Sequence, residues 1–143
     1  MGLKQIDHGT ADYRKMVQLR NEILRKPLGL SLTQQDLDKE ENDVLIAAYD
    51  DDEMLGCCVL SPVDGNTLRL RQMAVQGNLQ GKGIGASIMS FAENIARDKG
   101  YKKLYMHARN NAIGFYEKFG YKINGNEFEE INIPHHIMEK KIK

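Results

Sequence analysis

The sequence predicts a single α+β domain covering residues 1–143. Three observations support this fold class. The chain has 143 residues, 41% of them hydrophobic and 28% charged, as expected of one folded domain. Its middle contains three short strand patterns separated by turn residues, which indicates antiparallel β structure. Helical and strand patterns alternate on either side, with no repeat or linker between them.

The first half of the chain opens with a short strand pattern at residues 3–7. Apolar residues at helical spacing predict a helix at residues 11–26, which Pro27 and Gly29 end. Alternating patterns then predict the strands of the antiparallel part of the sheet, at residues 44–49, 54–61 and 67–75.

The second half contains the clearest helical pattern, at residues 83–99, with Gly100 placed as its C-terminal cap. A strand, a short helix and two further strands follow, at residues 102–108, 111–119, 121–124 and 131–142. Pro134 indicates that the last strand lies at an edge or starts irregularly.

The strand predicted at residues 67–75 changes its alternation midway. Leu68 and Leu70 share one face, whereas Met73 and Val75 resume the pattern one residue out of phase, after Gln72. A β-bulge produces such a slip. A strand buried on both faces late in its run produces the same pattern, so the sequence leaves both interpretations open.

Charge and hydropathy exclude several functions. Twenty basic residues balance twenty acidic ones, so the chain lacks the basic footprint that nucleic acid requires. No apolar run approaches the roughly 18 residues of a membrane span and no signal peptide pattern opens the chain, which predicts a cytoplasmic protein without membrane contact. Cys57 and Cys58 are adjacent and point to opposite faces of a strand, so we predict packed thiols and no metal site.

Nine acidic residues lie between positions 36 and 53, against the single Lys39. A run of this kind usually forms a solvated surface, and we interpret it in that way. A patch that attracts amines is the alternative.

The turn before the helix predicted at residues 83–99 is rich in glycine. Gly81, Gly83 and Gly85 let the backbone approach a ligand closely, and a helix N-terminus offers unpaired N–H groups with a partial positive charge. Lys82 adds a mobile positive charge. The segment therefore predicts a phosphate site.

Two well-known phosphate motifs do not fit this turn. A Walker loop would be one residue short, and Gly83 stands where Ser or Thr should hold magnesium. Residues 81–86 match the G-x-G-x-x-G/A pattern of dinucleotide sites, but residues 76–80 separate them from the preceding strand. The acidic residue expected about 20 positions further on is also missing, so a dinucleotide oxidoreductase is disfavoured.

Two motifs together resemble those of the GNAT superfamily of N-acetyltransferases. Gln80-x-x-Gly83-x-Gly85 matches the motif Gln/Arg-x-x-Gly-x-Gly/Ala and follows an apolar strand that ends Met73-Ala74-Val75. Downstream, Asn111-Ala112-x-x-Phe115-Tyr116-x-Lys118-x-Gly120-Tyr121 is similar to a later motif of that family. The tail, Phe128-x-Glu130-x-x-Ile133-Pro134-His135-x-x-Met138, resembles the ElaA-like branch. The resemblance covers roughly residues 44–138 and implies a mixed, mostly antiparallel central sheet, splayed at the cofactor strand and flanked by helices.

The resemblance implies acetyl-CoA as the cofactor. Its pyrophosphate would lie on the amides of the turn formed by Gln80, Gly81, Lys82, Gly83, Ile84, Gly85 and Ala86. Its pantetheine arm would pair like an extra strand with Met73, Ala74 and Val75, where a backbone N–H would polarise the thioester carbonyl. Asn111 would hydrogen-bond the pantetheine or cap the short helix, Phe115 belongs to the same motif, and Lys118 would meet the 3′-phosphate.

The chemistry that the resemblance implies is direct attack of an amine on the thioester, without an acyl-enzyme. Tyr116 is the predicted general acid, which protonates the thiolate as it leaves. Glu130 and His135 match the ElaA-like tail as candidates for the general base, and His107 lies on a strand expected to face the cleft.

The predicted function is the transfer of an acetyl group from acetyl-CoA to a primary amine of a small molecule. One alternative is a non-catalytic acyl-CoA-binding module on the same fold, and another is acetylation of a protein or peptide amine. Dimers are common in this family, so the resemblance allows a homodimer. No readable motif identifies the acceptor amine.

Overall fold

Eight strands and four α-helices make up the described part of the chain. The structure is a computed structural model that describes residues 1–142. The strands are β1 Gly2–Ile6, β2 Val44–Asp50, β3 Glu53–Pro62, β4 Thr67–Val75, β5 Lys103–Arg109, β6 Lys122–Ile123, β7 Phe128–Glu130 and β8 Ile133–Lys141. The helices are α1 Ala11–Arg20, α2 Gln34–Asp38, α3 Ile84–Asp98 and α4 Ile113–Glu117. None of these helices is long and apolar enough to cross a membrane.

The strands form one mixed sheet in the order β1-β2-β3-β4-β5-β8-β6, with β7 paired to β8. β4 and β5 run parallel, and the other pairings described for residues 1–142 are antiparallel. The connection between β4 and β5 contains α3, because parallel neighbours need a crossover. The predicted mixed, mostly antiparallel sheet flanked by helices is confirmed.

The sheet lies between two apolar layers. On one face, α3 buries a stripe that includes Ile88 and Ala92, four residues apart. On the other face, α1 buries Met16 and Leu19. Burial of a side chain such as Ile88 contributes about 1.5–3 kcal/mol, so each helix is held on the sheet by its apolar stripe.

β4 contains a bulge. Val59 of β3 pairs with Arg71, but Cys57 pairs with Ala74, so β4 has one residue more than β3 between the two pairs. Gln72 has a φ of 57°, a left-handed conformation that is uncommon outside glycine. The change of alternation in the sequence therefore reflects a bulge rather than a strand buried on both faces.

Three elements differ from the sequence-based expectations. The helix predicted at residues 11–26 is α-helical only to Arg20 and continues as a π turn at Asn21–Arg25 and a 3-10 turn at Lys26–Leu28. The patterns do not predict α2, because five residues are too few to show a helical period, although Thr33 and Asp36 form a capping box. β7 is likewise too short, at three residues, to show an alternation.

Part of the acidic run between positions 36 and 53 is buried. Glu40 is fully buried and accepts two hydrogen bonds, at 2.8 and 2.7 Å, from the equally buried guanidinium of Arg20. Tyr13 Oη donates to Glu40 Oε1 at 2.6 Å. Asp43 accepts a hydrogen bond from Ser61 at 2.8 Å. The interpretation as a solvated surface is therefore wrong for Glu40 and Asp43, because the fold supplies partners from distant parts of the chain.

Replacing Glu40 with glutamine is expected to lower the free energy of unfolding by about 3–5 kcal/mol, because Arg20 is left as an uncompensated buried charge. Chemical denaturation at neutral pH measures this loss. The control is Glu41→Gln at the exposed neighbouring position, with an expected change below about 0.5 kcal/mol. Similar effects of the two substitutions would contradict the structural role of Glu40.

The effect of Glu40→Gln is also expected to depend on pH. Burial raises the pKa of Glu40, but the hydrogen bonds and charge of Arg20 outweigh burial and leave the pKa below its ordinary value of 4.5. A lowered pKa in the folded state stabilises the protein above pH 4.5, and this stabilisation is lost as pH falls through the lowered value. The difference in unfolding free energy between wild type and variant should therefore shrink in a denaturation series toward acidic pH.

Candidate active site

A cleft opens where β4 and β5 separate. The two strands pair from Thr67 and Lys103 as far as Leu70 and Met106, and residues 1–142 show no pairing between them beyond that point. The bulge at Gln72 follows this divergence directly. The cleft has a volume of about 860 Å³ and is bordered by β4, β5, α4 and the turn before α3. The predicted splay of the sheet is therefore present at β4.

The glycine-rich turn lies at the border of this cleft. Gly81 and Gly83 have φ values of 82° and 86°, which residues with a side chain rarely adopt. α3 begins at Ile84, and its first N–H groups have neither an acceptor within the helix nor a side-chain cap from Gly83. Gln80 Nε2 donates to Val75 O at 3.2 Å and ties the turn to the end of β4. The turn thus presents backbone donors to the cleft.

Gly85 allows α4 to approach the start of α3. A Cβ atom at Gly85 would lie 3.0 Å from Cζ of Phe115, which is closer than side-chain carbons normally pack. The ring of Phe115 meets that of Tyr116 edge-on, with 5.1 Å between centroids. The absence of a side chain at Gly85 therefore lets the aromatic residues of α4 reach the cleft.

Tyr116 is buried at the wall of the cleft. Among residues 1–142 its hydroxyl has no hydrogen-bond partner, although its ring packs against Phe115 and Tyr121. Burial raises the pKa of the phenol above its ordinary value of 10.0, and the nearby Cys58 adds to this shift. The phenol is therefore protonated at neutral pH and can donate to a group in the cleft.

Four polar side chains lie together on the cleft as one group. They come from β4, β5, β7 and β8 and are Arg69, His107, Glu130 and His135. His107 Nδ1 lies 3.0 Å from Glu130 Oε1 and 3.0 Å from Arg69 Nη2. Glu130 Oε1 is 3.9 Å from Arg69 Nη2, and Glu130 Oε2 is 3.7 Å from His135 Nε2. Pairing of Arg109 with His135 places β8 and its hairpin partner β7 beside β5, which brings Glu130 to His107.

Glu130 is ionised in this group. Partial burial raises the pKa of Glu130, but the hydrogen bond from His107 and the charge of Arg69 outweigh burial and leave the pKa below its ordinary value of 4.5. A guanidinium only donates hydrogen bonds and a carboxylate only accepts them. His107 Nδ1 therefore accepts from Arg69 when Nδ1 carries no hydrogen, and donates to Glu130 when it does. Glu130 is therefore a carboxylate at neutral pH and presents hydrogen-bond acceptors to the cleft.

His135 is less accessible than Glu130. Its side chain is 4% exposed, its Nδ1 lies 2.7 Å from Ile133 O, and its ring stacks on Phe128 with 5.8 Å between centroids. The other ring nitrogen faces Glu130. His135 therefore packs beside the Glu130 carboxylate without a hydrogen bond to it.

Most of the predicted site residues meet at the cleft. It is lined by Met73, Ala74, Val75, Gln80, Gly81, Gly83, Gly85, Ala86, Asn111, Phe115 and Lys118, and by Tyr116, Glu130 and His135. Lys82 is exposed outside this lining, and the side chain of Ile84 packs in the core. α4 begins at Ile113 without a side-chain cap, so the alternative in which Asn111 caps this helix is wrong.

The structure also places four arginines on the cleft that the sequence-based site does not contain, namely Arg25, Arg69, Arg71 and Arg109. The available signal was alternation, because Arg69 and Arg109 each follow a buried apolar residue on their strand. Arg25 carries no such signal, since it lies in the π turn after α1.

The two cysteines take no part in the cleft lining. Both are free and buried, and burial raises the pKa of Cys57 to about 12. Thiols of this kind remain protonated and pack as small apolar side chains. Within residues 1–142, no group of three or more His, Cys, Asp or Glu side chains could hold a metal ion.

Known proteins with solved structures share this fold. Escherichia coli ElaA superposes with a TM-score of 0.84 at 20% identity, over 98% of this chain and 99% of that chain. A GNAT family acetyltransferase from Elizabethkingia anophelis, solved with acetyl-CoA bound, superposes with a TM-score of 0.74 at 22% identity, over 98% of this chain and 97% of that chain. At these identities the likeness shows the fold alone.

Comparison of the sequence with known proteins identifies the family. The protein YyaT of Bacillus subtilis (strain 168) is 37% identical over 78 residues, which cover 54% of this chain and 53% of YyaT. The chain spans about half the length of this and the next curated relatives that it matches. The model of the acetyltransferase (GNAT) family matches residues 13–121, which include most of α1, the bulged β4, the glycine-rich turn and Tyr116. This match supports the predicted enzyme class, an acyltransferase, and the predicted donor, acetyl-CoA. Because it extends over more than half of the sequence, the chain belongs to the acetyltransferase (GNAT) family.

Proposed function

We propose that the protein transfers an acetyl group from acetyl-CoA to a primary amine of a small molecule. The observation that carries the proposal is a single cleft lined by the glycine-rich turn, the unpartnered hydroxyl of Tyr116 and the ionised carboxylate of Glu130. Acyl transfer to an amine needs a proton acceptor, a proton donor and a fixed position for the donor molecule.

The residues of the cleft fit acetyl-CoA. We assign the pyrophosphate to the turn formed by Gln80, Gly81, Lys82, Gly83, Ile84, Gly85 and Ala86, where Ile84 contributes only its backbone N–H. Met73, Ala74 and Val75 lie on β4 beyond its pairing with β5, which leaves backbone groups for the pantetheine arm. Asn111 and Phe115 line the same cavity, and the exposed Lys118 can meet the 3′-phosphate.

The chemistry follows from the groups that this chain supplies. Acetyl-CoA provides the thioester. Glu130 accepts the proton that the attacking amine loses, while His107 hydrogen-bonds its carboxylate and His135 packs beside it. A backbone N–H of β4 near the bulge donates to the carbonyl oxygen as it gains negative charge. Tyr116 donates its proton to the sulfur as the C–S bond breaks and the new C–N bond remains, so an amide and a free thiol leave the site. The proton held by Glu130 then returns through solvent to the Tyr116 phenolate, which restores both groups.

Thiol release from acetyl-CoA with a panel of small primary amines tests this function. We expect amine-dependent release, together with thermal stabilisation by acetyl-CoA and not by NADH. Stabilisation without release for any amine would favour a non-catalytic acyl-CoA-binding module. Release with peptides but not with small amines would move the proposal to protein or peptide acceptors.

Gly83→Ala is expected to weaken acetyl-CoA binding by roughly tenfold. A left-handed φ costs a residue with a Cβ about 1–2 kcal/mol, so the N–H groups of the turn shift. A Cβ at Gly83 meets no atom within 4 Å among the described residues, which excludes a clash as the cause. Calorimetric titration measures the affinity, and Gly77→Ala, in equally open space outside the left-handed region, serves as control. If Gly83→Ala bound acetyl-CoA with wild-type affinity, the turn would not be part of the binding site.

A further inference from the structure

The face of the sheet turned away from α3 carries arginines at the cleft. Leu68, Leu70 and Met106 point into the core beneath α3 and α4. Side chains alternate along a strand, so Arg69 of β4 and Arg109 of β5 point to the opposite face, as His107 does. Arg25, from the π turn after α1, lines the same cavity. These three arginines form what we call the arginine cluster (Arg25, Arg69 and Arg109).

The arginine cluster has little opposing charge. Arg71, also on this face, lies 3.6 Å from both Glu40 and Asp43, so it is already neutralised. Among the described residues that line the cleft, Glu130 is the one acidic side chain. Glu130 acts on Arg69 and Arg109, whereas the carboxylate that acts on Arg25 is Asp36, which lies outside the cleft lining. The lining itself therefore holds one carboxylate for three guanidinium groups, although the chain as a whole has a formal net charge of +0.

Each member of the arginine cluster is incompletely paired. Arg109 Nη2 donates to the backbone oxygen of Leu24 at 3.1 Å, and Arg69 Nε is buried without a hydrogen-bond partner in residues 1–142. The guanidinium of Arg25 has no hydrogen bond or ion pair within the same residues. Burial lowers the pKa of Arg25, and repulsion by Arg109 lowers it further. Crowded, partly desolvated cations of this kind are stabilised by an anion.

We propose that the acceptor is a primary amine that also carries a carboxylate or phosphate group, which the arginine cluster binds. This inference rests on the proposed acetyl transfer. The planar guanidinium fork matches either oxyanion. Glu130, beside Arg69, receives the amine end of the same molecule. The positive surroundings also disfavour the ammonium form, so they promote loss of the proton that prevents attack, and they repel polycationic amines.

Matched pairs of acceptors test the proposal through kcat/KM from thiol release. The pairs are α-amino acids with their amides, and O-phosphoethanolamine with ethanolamine; spermidine represents polycations. We expect the anionic member of a pair to exceed its partner, whose amide or hydroxyl group is uncharged, by roughly tenfold or more, and spermidine to be the poorest acceptor. The pair with the larger ratio identifies the oxyanion. Equal or faster turnover of the uncharged or polycationic amines would overturn the proposal.

Arg25→Gln tests the cluster itself. It should lower kcat/KM for the anionic member by roughly tenfold and affect the uncharged member much less. Arg14→Gln, on the exposed side of α1, removes the same charge away from the cleft and is the control, with both members unchanged. An equal loss for both members in Arg25→Gln would contradict a role in anion recognition.

Binding in the presence of coenzyme A separates this inference from the catalytic proposal. Calorimetry compares N-acetylglycine with N-acetylglycinamide, and the phosphorylated with the free form of N-acetylethanolamine. If no amine releases thiol but an anionic compound binds preferentially and Arg25→Gln abolishes the preference, the anion site stands and acetyl transfer fails. Absence of any anionic preference in both turnover and binding overturns the anion site.

Discussion

Replacing Tyr116 with phenylalanine is expected to lower kcat by about 10²–10⁴-fold, because the departing sulfur loses its proton donor. The affinity for acetyl-CoA should change little, since the ring and its packing against Phe115 remain. Stability should also be retained, because the hydroxyl has no hydrogen-bond partner within residues 1–142. Steady-state thiol release and calorimetric titration of acetyl-CoA measure the two parameters separately.

The raised pKa of Tyr116 adds a pH dependence to this expectation. Since burial keeps the phenol protonated above its ordinary pKa of 10.0, the wild type should lose no activity from ionisation of Tyr116 up to about pH 9. Tyr101→Phe, which removes a phenol outside the cleft lining, is the control and should retain wild-type turnover. If Tyr116→Phe kept the turnover of the wild type, Tyr116 would not be the general acid.

Glu130→Gln is expected to lower kcat/KM by a similar factor, about 10²–10⁴, with acetyl-CoA affinity preserved. Glutamine keeps the size of the side chain and an oxygen that can accept from His107, but it cannot take a proton from the amine. The pKa of Glu130 lies below 4.5, so protonation of this carboxylate should reduce wild-type activity only below that pH. The pH profile of kcat/KM checks this limit.

Glu129→Gln is the matched control for Glu130. It lies on the same short strand and is exposed, and it does not line the cleft. We expect wild-type kinetics from this variant. If Glu130→Gln retained activity within about threefold of wild type, the proton acceptor would be His107 or water, and Glu130 would serve only to orient its neighbours.

The parts of the site that lie close together in sequence are predictable from it. The glycine-rich turn joins an apolar strand to the clearest helix, and its left-handed positions are glycines, as Gly81 and Gly83 illustrate. The irregularity at Gln72 is visible because a single extra residue reverses the alternation of one strand, although the structure was needed to identify it as a bulge. Each of these signals spans a few residues and needs no knowledge of distant contacts.

Contacts between distant segments are not predictable in this way. Glu40 belongs to an acidic run that suggests a solvated surface, yet Arg20 meets it from 20 positions away in the buried layer beneath α1. The short β7 has no alternation to reveal it, although it carries Glu130 to His107 across the sheet. Pairing register, which depends on the whole sheet, determines both encounters.

The acceptor end of the cleft likewise combines features that the sequence predicts with features that only the fold determines. Local patterns are enough to predict an α+β domain and the phosphate turn, because each depends on periodicity or spacing within a short segment. The family and the role predicted for Tyr116 rest instead on the resemblance of two short motifs to those of known proteins. Folding alone decides that Arg25, Arg69 and Arg109 share one cavity with a single carboxylate. Composition averages charge over the chain, whereas electrostatic recognition depends on which charges the tertiary structure brings within a few ångströms of one another.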